Sequence, residues 1–153
     1  MNEIILMAHV VFGVGCLLAA VWLFVDVLNA NEANLIRIRR VSWAAAGFMW
    51  AAFVVAGYWY VVSYHTDKAI ILAGPWPAAH SFFMETKEHL VIMLLLMTTY
   101  LPIAAGNNLA ANKEARRLVL WLTAGIALLA LLVEGHGAII ATGVKMGLLA
   151  KPH

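Results

Sequence analysis

The chain has 153 residues, of which 64% are hydrophobic and 12% charged, and its formal net charge is +2. A water-soluble domain is roughly half apolar and a quarter charged, so that class is excluded, as is disorder, which needs low hydrophobicity and high charge. A single cysteine excludes a disulfide framework and a cysteine-based zinc ribbon, and the small net charge gives no reason to expect nucleic-acid binding.

Four long apolar stretches predict membrane-spanning helices over residues 4–28, 41–64, 82–105 and 118–140, the last with a possible extension to 149. Each is close to the ~20 residues needed to cross a bilayer. The first stretch carries Glu3 and no basic residue before a long apolar run, unlike a cleaved signal peptide, and is expected to be a retained helix. The runs are continuous, as in Leu90–Met97, rather than alternating, which argues against a transmembrane barrel. The expected fold is therefore an all-α integral membrane four-helix bundle, a single domain with short loops and antiparallel up-down topology.

Arg37, Arg39 and Arg40 follow the first span, and Lys113, Arg116 and Arg117 follow the third. The other side holds Lys68, Lys87, Lys145 and Lys151. Two tight basic clusters flanking spans predict cytoplasmic loops there, with both termini outside. In a bacterium this is the inner membrane, with the outer side facing the periplasm. Trp43 and Trp121 fall near the inner boundary, and Trp59 and Trp76 near the outer one, as in an aromatic belt. The segment from His65 to about Ser81, with Ala69-Ile-Ile-Leu and Gly-Pro-Trp-Pro (74–77), reads as an interfacial lid.

The histidines carry the functional reading. His9, His89 and His136 lie within spans, while His65, His80 and His153 read as surface residues. Measured from the inner end of each span, the first three lie at depths of roughly 28, 24 and 27 Å. Three helices thus place an imidazole in one layer, with Glu85, Glu88 and Glu134 nearby. Ionisable residues within spans are costly and mark functional sites. Neutral imidazole is the commonest metal ligand, so a metal or metal-bearing cofactor is the expected cause.

Glu85, His89, Met93 and Met97 repeat at helical spacing and form one stripe. Glu134 and His136 are two residues apart and so point roughly 200° apart. Gly135 and Gly137 flank His136, and Gly13 lies one turn from His9, where small residues admit a planar macrocycle. Two imidazoles with adjacent glycines predict haem b, with His89 and His136 as the favoured ligands and His9 as the rival. Glu85 and Glu88 are then candidate proton acceptors. A bare metal is the alternative, and Met7, Met84 and Met93 would favour copper over iron or zinc. Cys16 reads as a packing residue, and Asp26 and Glu32 as charges that offset the basic loop. Gly143 and Gly147 have the spacing of a dimer motif.

In architecture, with four spans and histidines layered near one face, the chain resembles small membrane-anchored b-type cytochromes. The resemblance implies electron transfer between membrane quinone and an outer-face redox protein such as a c-type cytochrome, within a larger complex of membrane subunits. It carries over no ligand position. The other expectation is an accessory subunit with no cofactor of its own.

Overall fold

The computed structural model describes residues 2–150, so His153 lies outside the described residues. The fold is all-helical: α1 (Asn2–Leu28), α2 (Leu35–Ala73), a π-helical turn (Ala79–Met84) running directly into α3 (Glu85–Ala105), and α4 (Lys113–Leu149). Four helices are long and apolar enough to cross a membrane.

α2 and α4 are much longer than the expected spans. At 39 and 37 residues they reach about 58 and 55 Å, nearly twice the hydrocarbon thickness. The expected lid is a correction: most of it is helix. Thr66, Asp67 and Lys68 lower the hydropathy without breaking the helix, so α2 runs on through Ala69-Ile-Ile-Leu. It stops only at Gly74, where Pro75 and Pro77 remove amide donors and restrict the preceding residues. The Gly74 amide donates to the Ile71 carbonyl at 3.1 Å to close the end.

Cross-helix contacts fix the pairing. α1 meets α2 from Asp26–Arg37 through Phe48 over Gly15 to His9–Ala52, so the two run in opposite directions. α2 meets α3 through Arg39–Gly106 and Trp50–Thr99, and α3 meets α4 through Met97–Gly125 and Lys87–Gly137. These contacts give the molecule an arginine end and a histidine end.

The arginine end is closed by charge-assisted hydrogen bonds. Arg37 donates to both oxygens of Asp26 at 2.7 Å each, and Asp26 is almost wholly buried. Arg39 donates to the Gly106 carbonyl at 2.8 Å, capping the end of α3. Arg116 donates to the carbonyls of Val27 and Leu28 at the end of α1, the first of which also accepts from the Ala30 amide. Glu32 accepts from the Asn108 amide at 3.1 Å, tying the two loops together. Asp26 and Glu32 therefore do more than offset charge.

The histidine end is held by close packing. A second core forms from Tyr64, Ile71, Ala79, Met84 and Ile140, apart from the main core around Leu23, Ile38, Leu101 and Ile126. Gly143 and Gly147 serve this packing within one chain. A Cβ on Gly147 would lie 2.6 Å from the Ile70 carbonyl oxygen, and one on Gly143 would lie 2.5 Å from the Ala79 Cβ. Trp59 and Trp76 are half-buried, Trp59 against Tyr64 and Trp76 against Phe83, whereas Trp43 and Trp121 are exposed.

Three outcomes are expected for unfolding in detergent, read by circular dichroism. Gly147→Leu should destabilise by about 1–3 kcal/mol through overpacking. Gly47→Ala, where a Cβ meets no described atom within 4 Å, should be neutral or stabilising by up to about 1 kcal/mol. Asp26→Asn should cost about 1–3 kcal/mol, because it removes the charge from a bidentate pair on a buried side.

Candidate functional site

Each helix buries one stripe of its surface, and at the histidine end three stripes finish on a polar side chain. On α1 the stripe Val27, Leu23, Ala20 and Cys16 leads through Gly13 to His9. On α3 the stripe Leu101, Thr98 and Leu94 leads through Val91 to Lys87. On α4 Val119, Thr123, Ile126 and Ala130 lead to Glu134. The 3–4-residue spacing puts each set on one face.

These three groups line one cavity of about 850 Å³ among α1, α2, α3 and α4. Its wall also includes Glu88, Gly137, Trp59, Tyr60 and Asp67. A smaller space of about 60 Å³ continues beneath it, past Gly13 and Cys16. The Glu134 carboxyl rests against the bare Cα of Gly13, in the volume that a Cβ would occupy. The Lys87 ammonium lies 3.0 Å from the corresponding position on Gly137. Gly13 and Gly137 therefore make room for two charged side chains at the cavity wall.

The imidazoles share a local geometry. His9 Nδ1 bonds the Ala52 carbonyl across to α2 at 3.1 Å. His89 Nδ1 bonds the Glu85 carbonyl, and His136 Nδ1 the Leu132 carbonyl, each at 2.7 Å. A carbonyl only accepts, so each bond places a proton on Nδ1, and in the neutral ring Nε2 then carries the free lone pair. Contacts of Gly13 with Glu134 and of Lys87 with Gly137 put the three rings within about one helical turn of each other in depth.

The three rings do not face one point. His9 lines the cavity with Glu88 and Gly137, while Gly13 lies in the space beneath. His89 and Glu85 are exposed on the outer face of α3, and His136 is half-buried with its ring 5.4 Å from that of Phe83. Gly135 has no described atom within 4 Å of a Cβ position, so the surface beside His136 is open. Met7 and Met93 are exposed and Met84 is buried in the second core. Among the described residues no group of three or more His, Cys, Asp or Glu side chains is arranged to hold a metal ion.

Two residues have roles the sequence reading missed. Lys87 enters the sequence reading only as one of the basic residues of the outer side, yet it extends the Leu101–Thr98–Leu94 stripe. His80 is buried rather than on the surface, and its Nδ1 is 2.9 Å from the Tyr64 hydroxyl. The π-helical turn carries it beneath α2, and no spacing pattern announces such a turn.

The chain matches no protein-family model, and no curated protein or solved structure is significantly similar to it.

The fit of Glu134 into Gly13 is testable by a double-mutant cycle. Gly13→Ala alone should cost about 1–3 kcal/mol. With Glu134→Ala already present, the same change should be neutral or favourable, giving a coupling of about 0.5–3 kcal/mol in detergent unfolding. An equal cost in both backgrounds would show that the carboxyl does not fill that space.

Proposed function

We propose that the chain is a small b-type cytochrome subunit, moving electrons between membrane quinone and an outer-face redox partner such as a c-type cytochrome. The observation that carries this reading is the shared imidazole geometry of His89 and His136. Both hold Nδ1–H on a carbonyl of their own helix and offer Nε2 outward, as axial ligation requires. They belong to neighbouring helices and lie close in depth, and the open surface at Gly135 leaves room for a flat group. When bound, haem b supplies a one-electron iron couple.

An imidazole left bare on a spanning helix is costly, which supports a haem or neighbouring membrane subunit covering His89 and His136. A bare copper, iron or zinc ion is less well supported, because no three-ligand group is present among the described residues. Glu85, on the same face as His89, and Glu88, on the cavity wall, stand one turn or less from His89 and are the proposed proton acceptors. The proposed orientation is N-out and C-out in an up-down bundle, following the basic clusters around Arg39 and Arg116. The histidine end then faces the periplasmic side of a bacterial inner membrane.

The test is a dithionite-reduced minus oxidised visible spectrum of the purified, detergent-solubilised chain from haem-replete cells. Haem bands are expected, lost or shifted in His89→Ala and in His136→Ala and unchanged in His65→Ala. A chain without haem bands overturns the reading.

A further inference from the structure

The large cavity is separate from the outward faces of His89 and His136, and the haem reading leaves it unused. Its size falls within the range of ordinary ligand pockets, roughly 300–1,000 Å³. Val10, Tyr60, Val61 and Ile92 line it and are also exposed on the surfaces of spanning helices. The mouth therefore opens toward lipid, and an occupant would enter from the membrane.

The polar groups narrow the chemistry. Lys87 and Glu134 carry opposite charges at one wall and offset each other, while the Ala52 carbonyl occupies His9 Nδ1 and leaves Nε2 to the cavity. Glu88 and Asp67 add acidic groups nearer the ends of the wall. This balance disfavours phosphate and fatty-acid headgroups. It suits a neutral molecule that both accepts and donates hydrogen bonds: Lys87 donates to a carbonyl oxygen, and His9 Nε2 accepts from a hydroxyl. Trp59 and Phe53 supply aromatic surface for a flat ring.

We infer that this cavity binds the ring of a neutral, lipid-soluble quinone or quinol, with His9 and Lys87 as its polar contacts. The choice of quinone rests on the electron-transfer reading above; the neutral, lipid-borne character of the ligand rests on the cavity itself. The site is distinct from the haem position: His9 serves the cavity, while His89 and His136 face outward.

The experiment is a titration of the full chain in lipid nanodiscs with decylbenzoquinone, followed by tryptophan fluorescence. Trp59 in the wall should give saturable quenching at micromolar concentrations, largely lost in Trp59→Phe. His9→Ala and Lys87→Met should each weaken binding by about tenfold or more, and Ala141→Phe should block it by filling the cavity. Circular dichroism identifies any variant that fails to fold. A photoreactive azidoquinone on the unaltered chain gives a second measurement, with label expected in residues 53–61, 84–92 or 134–144. Non-saturable quenching alike in all folded variants, labelling elsewhere, or equal competition by short-chain phosphatidylglycerol would overturn the site. Saturable binding without haem bands would retain the site and remove the cytochrome reading. Haem bands without saturable binding would do the reverse.

Discussion

Hydrocarbon supplies neither donors nor acceptors, so each peptide group in a span must be satisfied along its own helix, and each polar side chain needs protein around it. That constraint organises this molecule. Thr98 and Thr123, fully buried in the middle of the spans, return their hydroxyls to carbonyls of the preceding turn. His9 reaches across to the Ala52 carbonyl, where a small side chain on α2 lets the ring approach the backbone. Lys87 and Glu134 have no such local solution. They gather at one wall, and glycines on the facing helices give them space.

The two ends meet the constraint differently. At the arginine end, Arg37 binds the Asp26 carboxylate, and Arg39 and Arg116 bind carbonyls at the ends of α3 and α1. Such bonds draw the helices together, and Leu23, Ile38 and Leu109 beneath them are wholly buried. At the histidine end, α2 and α4 meet through Ile70, Ile71, Gly143 and Gly147, well beyond the level of His9. Between that upper seam and the main core the helices leave the large cavity. Its place is thus set by packing above and below it, with the polar residues on its wall.

Composition made the four spans legible, because a long run of apolar residues has few other uses. Their ends were less so. Hydropathy falls at Thr66-Asp-Lys, but helix geometry does not depend on hydropathy, and only Pro75 and Pro77 impose a stop. The inward faces were harder still. Lipid-facing and buried surfaces are both apolar, so the contrast that marks an amphipathic helix in water is missing. On α1 the wholly buried positions include Cys16 and Ala20, while Leu18 and Trp22 are exposed. Leu23 and Val27 are wholly buried on the same helix, so neither size nor hydrophobicity separates the inward from the outward face. The Glu85–His89–Met93 stripe was correctly read as one face, but that face points outward. The separation of Glu134 from His136 followed from helix geometry, and the structure places them on different surfaces.

This separation gives the histidine layer two sides. Lys87 and His89 occupy the same turn of α3 on different faces, as Glu134 and His136 do on α4. A residue pair two apart differs by roughly 200° around the axis, so one face can line the cavity while the other meets the surface. The intervening thickness is a single helix, about 10–12 Å across with its side chains. A ring held at His9 and Lys87 and a haem held at His89 and His136 would therefore be neighbours separated by rigid helix, without sharing a ligand. Glu88, on the cavity wall next to His89 in sequence, lies where the two sites come closest along α3. If both sites are occupied as proposed, Glu88 would stand between them, on the cavity side of the helix whose other face carries His89.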